Sequence, residues 1–448
     1  MDNLSIRECV ALIAEGRLTA VQMVESCFAC IEATEPTLAA WKYLDKENAL
    51  QQAATLDDIR RHGQPLGALH GIPVGLKDIF DTDDMPTEYG SPIYKSHQPD
   101  SNATVVDKLK EAGAIIIGKT VSTEFAYMHP AKTRNPHNPD YSPGGSSSGS
   151  AAAVAAGHIP LALGSQTNGS VVRPASFCGV YGYKPSRGIV SRHGVLQTSQ
   201  HLDHVGVFSR DIGDLALLCD CIGGYDKNDS ASYLKPRPGM LEGYLSEAPI
   251  EPNFIWFDLP WADRYSPDTV EAFEELLSAM DGQLERVDAP QSFAALPACH
   301  KVIYDYEIYR SLEKERENHW DLLSDTAKAA MESASHRDAA AYQEALEIRQ
   351  ASIAWFSEFF NDYDAIVTPS AIGEPPEFDN GTGDPICCTV WTLCGLPTLT
   401  MPLLNGANNL PIGVQLVGAY NEDNRLLRSA RWLLQHLRDD EPVQTTDA

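Results

Sequence analysis

Residues 143–150 read Pro143-Gly144-Gly145-Ser146-Ser147-Ser148-Gly149-Ser150, and an alanine-rich helix is predicted to follow at about 149–157. Backbone N–H groups in such a loop can surround an anion, because glycine lets the backbone approach it closely. The loop lacks the Lys-Ser/Thr ending of a P-loop and the spaced glycines of a dinucleotide-binding loop. On these residues alone, a functional loop and a passive serine-rich linker both stay open.

A second glycine-containing segment follows the apolar run Leu161-Ala162-Leu163. It reads Gly164-Ser165-Gln166-Thr167-Asn168-Gly169-Ser170 and is predicted to form a tight turn. A serine that closes such a turn can expose its hydroxyl while neighbouring N–H groups point at one spot. An oxyanion hole requires that arrangement.

A third segment, the short apolar run at residues 71–78, is bounded by glycine and proline and predicts a buried strand that ends at Lys77. Burial would lower the pKa of Lys77 from about 10.4 toward neutrality, and a neutral lysine can serve as the base for a serine nucleophile. The spacing equally allows Lys77 to pair with Asp78 at the surface. Both interpretations stay open.

Around these segments, the pattern alternates between helices and strands, which indicates an α/β fold. Amphipathic helices are predicted within residues 4–34 and over about 103–112, and a β-branched strand follows at 114–118. Strand signals return at 254–257 and 365–367. Between them, the acidic region at about 262–360 predicts an inserted helical layer with helices near 267–280, 301–318 and 338–360. We therefore expect residues 1–448 to form a single domain.

The composition excludes several classes of protein. The chain has 448 residues, 43% of them hydrophobic, and a net charge of −28, so it is neither disordered nor suited to nucleic acid or an anionic membrane. Residues 1–8 lack the basic start and the apolar run of a signal peptide, so we expect none. No segment is long and apolar enough to span a bilayer. Ten cysteines without framework spacing indicate reduced thiols and a cytoplasmic protein. The pair Cys27 and Cys30 is interpreted as structural.

Taken together, these segments resemble the amidase signature family, and the resemblance runs from about residue 4 to 435. The segments that carry it are Gly71-Ile72-Pro73-Val74-Gly75-Leu76-Lys77-Asp78, Gly118-Lys119-Thr120 with Glu124-Phe125-Ala126, residues 143–157, Gly169-Ser170, Phe177-Cys178-Gly179-Val180, Lys184-Pro185, Gly395-Leu396-Pro397, Pro402 and residues 411–418. The resemblance implies a mixed central β-sheet sandwiched between helices (α/β/α). It implies neither a metal nor an organic cofactor.

The resemblance also implies a catalytic triad. Ser170 would be the nucleophile, Ser146 the bridging serine after a cis peptide bond, and Lys77 the final base. The backbone N–H groups of Thr167, Asn168, Gly169 and Ser170 would form the oxyanion hole. The implied reaction is hydrolysis of a linear C–N bond in an amide, aryl amide, carbamate or urea analogue.

Three side chains are candidates for the substrate pocket. Tyr127 and Met128 follow the Glu124-Phe125-Ala126 segment, and Trp391 lies in the C-terminal part. Core packing is an equally good interpretation for Tyr127 and Trp391. His201 and His204 form an HxxH pair, but they lie in a segment similar to a family segment without metal, so we expect no metal site there.

The chain departs from the family pattern at the nucleophile turn. The family usually has Asp-Thr-Gly-Gly-Ser and an arginine two positions after the serine. Here Gln166 and Asn168 replace the acid and the first glycine, and Arg173 comes three positions after Ser170. We hypothesise that the usual acid and arginine form an ion pair that was exchanged here for a neutral contact, because a lone buried charge is unfavourable. Asn168 is expected to tolerate a left-handed backbone, and Ser148 stands where glycine is common.

Two rival functions remain. The chain also resembles the glutaminase subunit of a tRNA-dependent amidotransferase, which would act only in a complex. A non-catalytic binding module is the second rival, although the retained Lys77, Ser146 and Ser170 argue against it. The main interpretation predicts a small-molecule substrate, no nucleic acid or membrane partner, and is compatible with a homodimer.

Overall fold

The computed structural model describes residues 4–280 and 282–439. Residues 1–3 and 440–448, which belong to the predicted 1–448 domain, lie outside the described residues. The strands are β1 (Trp41–Leu44), β2 (Pro73–Lys77), β3 (Ile115–Thr120), β4 (Leu161–Gln166), β5 (Tyr181–Lys184), β6 (His204–Ser209), β7 (Phe254–Asp258), β8 (Leu284–Asp288), β9 (Ala365–Pro369), β10 (Thr398–Asn405) and β11 (Pro411–Val417).

The helices pack on both faces of the sheet that these strands form. They are α1 (Ile6–Ala14), α2 (Ala20–Leu38), α3 (Lys46–Arg61), α4 (Thr104–Glu111), α5 (Ser148–Ala155), α6 (Val172–Cys178), α7 (Ile212–Ile222), α8 (Met240–Leu245), α9 (Pro267–Ala279), α10 (Leu296–Ser311), α11 (Glu313–Asn318), α12 (Asp325–Ala334), α13 (Ala339–Phe359), α14 (Ile386–Leu393) and α15 (Asp423–Asp439).

In the described part of the chain, one mixed sheet holds eleven strands in the order β1-β3-β2-β4-β6-β5-β10-β11-β9-β7-β8. Strand β2 is parallel to β3 and β4, and β7 is parallel to β8 and β9. The other neighbouring pairs are antiparallel. The predicted mixed sheet between layers of helices is confirmed.

Alternation along the central strands produces the two helical layers. In β3, Ile116 belongs to one apolar cluster, whereas Ile115 and Ile117 belong to another. Successive side chains of a strand point to opposite faces, so a run of three isoleucines fills both interiors. The first helix lies within the predicted residues 4–34, and a capping box starts it: the Ser5 side chain accepts from the N–H of Glu8, and the Glu8 carboxylate accepts from the N–H of Ser5.

The region at 262–360 differs from the predicted helical layer. It contains α9 to α13, but it also contributes strand β8, which pairs in parallel with β7. Strand β8 is partly exposed and carries charged residues, so it lacks the apolar pattern of a buried strand. The predicted helix 301–318 is two helices, α10 and α11, and α12 was not predicted.

Lys77 and the two serine-containing segments meet in the interior beside the ends of β2 and β4. Strand β2 lies between β3 and β4, and all five of its residues are buried. Among the described residues, no helix is both long enough and apolar enough to cross a lipid bilayer.

Candidate active site

Lys77 is the last residue of β2, and its side chain is fully buried. Its Nζ donates to Ser146 Oγ at 2.7 Å and to Ser165 Oγ at 2.8 Å. Burial holds the pKa of Lys77 well below its ordinary value, while the Asp203 carboxylate acts in the opposite direction. The prediction that Lys77 is buried at the end of a strand is therefore confirmed.

The alternative pairing of Lys77 with Asp78 is wrong. The Asp78 carboxylate lies 3.5 Å from Nζ of Lys119, another buried lysine, and accepts from the backbone N–H of Glu88. Strand β2 ends at Lys77, and Asp78 begins the turn that follows, where its carboxylate meets Lys119 instead.

The loop before α5 is a built structure and not a passive linker. The peptide bond between Gly145 and Ser146 is cis, as the resemblance implies. Three further hydroxyls hold the loop: Ser147 Oγ and Ser150 Oγ donate to carbonyl oxygens of β4, and Ser148 Oγ donates to the Gly144 carbonyl at 2.7 Å. This last contact gives the unusual Ser148 a structural role.

The nucleophile turn is shorter than predicted. Strand β4 extends through Gln166, and the turn proper is Thr167–Ser170 before α6. Gly169 packs tightly, because a Cβ there would lie 3.2 Å from both Cys388 Sγ and Pro385 Cβ. In the described part of the chain, no backbone carbonyl accepts from the N–H groups of these four turn residues.

Asn168 does not adopt the left-handed backbone that we expected, since it is absent from the described residues with positive φ. Two threonines of α14 hold the residue instead. The side-chain Oδ1 of Asn168 accepts from Thr389 Oγ1 at 2.8 Å, and its backbone carbonyl accepts from Thr392 Oγ1 at 2.5 Å. The amide thus fixes the turn to a neighbouring helix.

Gln166 makes a neutral contact at the place where the family has an acid. Its Oε1 accepts from the N–H groups of Val171 and Val172, and its Nε2 donates to Thr392 Oγ1. Arg173 is buried as well, and it donates to the carbonyls of Gly145 and Gly383. Gln166 therefore has the neutral contact that the hypothesis expects, whereas Arg173 remains a buried cation that donates to carbonyl oxygens, so the exchange did not remove every buried charge beside the turn.

A cavity of about 270 Å³ opens beside Ser170, which is 8% exposed. Its walls come from the 126–128 segment, the nucleophile turn, α10 and the start of α14. The lining residues are Ala126, Tyr127, Met128, Thr167, Asn168, Ser170, Arg173, Pro297, His300, Lys301, Tyr304, Asp305, Asp384, Pro385, Ile386 and Thr389. Tyr127 and Met128 therefore line the same cavity as Ser170.

Trp391 does not line this cavity, so its expected contact with substrate is corrected. Its side chain is fully buried, its Nε1 donates to the Cys387 carbonyl, and its ring packs edge-on against Phe293 and Phe356. Core packing, the other interpretation, is right. The residues of α14 that reach the cavity are Ile386 and Thr389.

The structure does not close the whole predicted relay. Ser146 is bonded to Lys77, but no hydrogen bond between the hydroxyls of Ser146 and Ser170 is found among the described residues. Catalytic hydrogen bonds are often long before substrate binds and tighten in the complex. Ser170 lines the cavity, and Ser146 lies behind its wall, since the carbonyl of the preceding Gly145 accepts from the lining residue Arg173.

Sequence reasoning missed Ser165, Asp203 and His300. Ser165 Oγ is the second acceptor of Lys77, and Asp203 accepts from Thr167 Oγ1 at 2.6 Å. His300 Nε2 lies 2.9 Å from the Thr167 carbonyl, so this nitrogen carries the hydrogen, and burial lowers the pKa of His300 to about 4. Ser165 adjoins the quoted turn, but nothing in the chain near His300 signalled the site.

The sequence motifs considered for metal binding make other contacts. His201 Nδ1 contacts Glu307, and His204 Nδ1 donates to the Leu202 carbonyl. Cys27 and Cys30 lie in α2 as free thiols. Among the described residues, no group of three or more His, Cys, Asp or Glu side chains is arranged to hold a metal ion.

This fold and this site define an amidohydrolase, an enzyme that cleaves C–N amide bonds. The chain belongs to the Amidase family, whose model matches residues 22–427.

Comparisons with individual proteins support the same assignment. A glutamyl-tRNA(Gln) amidotransferase subunit of Chloroflexus aggregans is 33% identical over 469 residues, covering 95% of this chain and 94% of that protein. Two solved structures are also similar. One is a chain of a vestigial protein complex connected with the origins of an s-triazine catabolic enzyme (TM-score 0.90, 28% identity, 96% and 98% coverage). The other is the peptide amidase of Stenotrophomonas maltophilia (TM-score 0.84, 25% identity, 97% of both chains).

Proposed function

We propose that this protein hydrolyses a small linear amide-type compound (an amide, aryl amide, carbamate or urea analogue) through an acyl-enzyme on Ser170. The observation that carries this proposal is the contact of the buried Lys77 amine with Ser146 beside the cavity that Ser170 lines. Burial lowers the pKa of Lys77 and so favours the neutral amine, the form that can accept a proton from a serine hydroxyl.

The reaction proceeds in two halves. Ser170 Oγ attacks the carbonyl carbon, its proton passes to Ser146 Oγ, and the Ser146 proton passes to Lys77. When the C–N bond breaks, the proton returns through Ser146 to the leaving nitrogen, and ammonia or an amine departs. Water then attacks the Ser170 ester by the same relay and releases the acid, which restores the starting enzyme.

The oxyanion of each tetrahedral intermediate would be stabilised by the N–H groups of the turn at 167–170. These groups have no backbone carbonyl partner in the described residues, so they are available to a substrate oxygen. Loss of one oxyanion donor typically costs about 3 kcal/mol of barrier. Tyr127 and Met128 are proposed to contact the acyl group from the cavity wall.

Labelling with a fluorophosphonate, followed by peptide mapping, tests the nucleophile. One adduct on Ser170 is expected, and it should disappear in Ser170→Ala but remain in Ser278→Ala, which removes an exposed serine on α9. Release of ammonia or amine from a panel of amides, carbamates and ureas then tests turnover. A folded protein that gains no adduct at Ser170 contradicts the proposal.

The second candidate is the glutaminase subunit of a tRNA-dependent amidotransferase, which the name of the Chloroflexus relative favours. Such a protein would release ammonia from glutamine only with its partner subunits, whereas the first candidate is active as the isolated chain. The net charge of −28 argues that any tRNA would be bound by a partner and not by this chain. The cytoplasmic location and the homodimer stay predictions, and light scattering of the purified chain tests the latter.

A further inference from the structure

Two successive carbonyl groups of the nucleophile turn accept hydrogen bonds from side chains that lie far from the turn in the sequence. His300 Nε2 donates to the Thr167 carbonyl at 2.9 Å, across 133 positions. Thr392 Oγ1 donates to the Asn168 carbonyl at 2.5 Å, across 224 positions. The two donors belong to α10 and α14, so two separate helices hold the main chain of the turn.

These two contacts also set the direction of two N–H groups. A trans peptide unit is planar, and its carbonyl oxygen and its N–H hydrogen point in opposite directions. The peptide units of the turn are trans, since the one cis bond among the described residues joins Gly145 to Ser146. The donor on the Thr167 carbonyl therefore orients the N–H of Asn168, and the donor on the Asn168 carbonyl orients the N–H of Gly169.

The oriented N–H groups are not used by the main chain. In the described part of the protein, no backbone carbonyl accepts from the N–H of Asn168, Gly169 or Ser170. The unit that carries the Ser170 N–H is held by the main chain itself, because the Gly169 carbonyl accepts from the N–H of Arg173 at 2.9 Å. The other two units depend on side chains, so substitution can release them.

His300 is placed to donate this hydrogen bond and not to transfer protons. A carbonyl oxygen only accepts, so the hydrogen of the ring lies on Nε2 and is directed at Thr167. The ring is 2% exposed, and burial lowers its pKa to about 4, which keeps it neutral and weakly basic at neutral pH. Although His300 lines the cavity beside Ser170, its one N–H is committed to the turn.

Thr392 acts on the substrate only through the turn. It is fully buried and is not one of the residues that line the cavity. Its single hydroxyl hydrogen goes to the Asn168 carbonyl, and its oxygen accepts from Gln166 Nε2 at 2.9 Å. Gln166 thus supports the same peptide unit from behind, which an aspartate could not do because it has no N–H to donate.

We propose that His300 and Thr392 are positioning residues, which hold two peptide units of the nucleophile turn so that the N–H groups of Asn168 and Gly169 face the developing oxyanion. The inference rests on the proposed acyl-enzyme at Ser170 and adds two residues from outside the turn on which its rate depends. Oriented donors act on charge that develops in the transition state, so loss of either contact should slow the chemical step and leave ground-state affinity nearly unchanged.

Fluorophosphonate labelling of Ser170 tests His300, because its dependence on reagent concentration gives a maximal rate and a half-saturating concentration. His300→Leu should lower the maximal rate by about 10- to 30-fold, a part of the 10²–10³-fold that removal of a whole donor typically costs, and should change the half-saturating concentration by less than about twofold. In His300→Gln, the amide nitrogen can take the place of Nε2. The maximal rate should then stay within about threefold of the wild-type rate, with an unchanged pH midpoint.

Thr392 provides a second test on the neighbouring peptide unit. Thr392→Val keeps the shape of the side chain and removes the hydroxyl, so the maximal rate should fall by about tenfold. Thr392→Ser keeps the hydroxyl, and its rate should stay within about threefold of the wild-type rate. This pair also tests the proposal if His300→Leu does not fold, and an unchanged rate in Thr392→Val would then overturn it.

His158→Leu is the matched control for loss of a buried histidine. His158 is fully buried, and burial lowers its pKa to about 4 as well, but its ring contacts Thr34 and Trp41. This variant should lower the melting temperature and leave the maximal labelling rate of the folded protein within about twofold of the wild-type rate.

Two results would overturn the positioning role. A His300→Gln protein that is as slow as His300→Leu would show that the ring is needed and not the donated hydrogen bond. Lower melting temperatures with unchanged maximal rates in both His300→Leu and Thr392→Val would show a merely structural role. In both cases the adduct on wild-type Ser170 leaves the proposed function intact. A folded wild-type chain without that adduct defeats the proposed function, and the positioning role falls with it.

Discussion

Burial of Lys77 favours the neutral amine, which is the form that the proposed role as a base requires. The same residue type behaves differently nearby: Lys119 is also buried, but the Asp78 carboxylate offsets part of the loss of hydration, and its pKa is lowered only to about 8. Lys77 has hydroxyl partners and no carboxylate in direct contact among the described residues, and burial lowers its pKa well below the ordinary value. The contrast rests on the partner and not on burial alone.

This difference predicts the pH dependence of Ser170 reactivity. A lowered pKa means that the neutral amine forms as the pH rises through that value, so the rate of fluorophosphonate labelling should increase with pH and level off well below 10.5. Lys77→Met should reduce the rate by about 10²–10⁴-fold and abolish the rise. A wild-type rate that climbs only near pH 10, or a fully active Lys77→Met, would show that Lys77 is not the base.

Gln166 is predicted to be intolerant of its family counterpart. Aspartate at this position would be one methylene shorter, would bring a charge into a fully buried place and could not donate to Thr392. We expect Gln166→Asp to lower the free energy of unfolding by about 3 kcal/mol. Chemical denaturation measures the change, and Gln166→Asn separates the effect of length from that of charge. An unchanged melting temperature for Gln166→Asp would disprove the idea of a neutral exchange.

At the scale of elements, the site is assembled by segments that lie far apart along the chain. Strand β2 supplies Lys77, the loop before α5 supplies Ser146, and the turn after β4 supplies Ser170. The segment before β6 adds Asp203, which accepts from the N–H groups of Thr198 and Ser199 as well as from Thr167. Asp203 therefore has two effects: it holds the turn through Thr167, and its negative charge acts to raise the pKa of Lys77.

Removal of the Asp203 charge should move the pH profile. The carboxylate favours the protonated form of Lys77, so its loss lowers the pKa of Lys77 further. In Asp203→Asn, the midpoint of the labelling profile should shift to lower pH, and the free energy of unfolding should fall by about 1–3 kcal/mol because one acceptor becomes a donor. Asp226→Asn alters a carboxylate that contacts Thr104 and Ser191 instead, and it should leave the midpoint in place. A shift to higher pH in Asp203→Asn would contradict this assignment.

Element predictions succeeded where one segment carried its own pattern. The strands β2 and β3 and the helices α9 and α13 lie close to their predicted positions, because an apolar run or a helical period identified each of them. Strand β8 was missed for the opposite reason. It lies at the edge of the sheet next to β7, so half of its surface faces water and its charged residues hide the pattern of a strand.

At the scale of the whole molecule, the net charge of −28 should make stability depend on salt. Like charges repel one another more strongly in the folded state, and dissolved ions screen that repulsion. We expect the melting temperature to rise by a few degrees between about 10 mM and about 1 M NaCl, measured by calorimetry. Sucrose at matched osmolality is the control for non-ionic stabilisation. A melting temperature that falls steadily with salt would mean that ion pairs outweigh the repulsion.

Local sequence located the segments that form the site but did not decide their roles. The glycine-serine loop, the turn that ends at Ser170 and the strand that ends at Lys77 could each be identified from nearby residues, whereas a passive linker and a pairing of Lys77 with Asp78 stayed open on those residues alone. The mixed sheet between helices followed from the resemblance of these same segments. The sequence also showed that Gln166 replaces the acid usual in the family, although it did not show which groups Gln166 contacts.

The rest depended on contacts between distant segments. His300 contacts Thr167 across 133 positions, Trp391 turned out to be a core residue, and the Arg173 guanidinium proved to be buried with no carboxylate partner among the described residues. Whether a charge is balanced, or a side chain reaches a cavity, is set by packing between elements that no local pattern encodes. The class of chemistry could therefore be predicted from the chain, whereas the walls of the cavity and the buried charge in them required the folded arrangement.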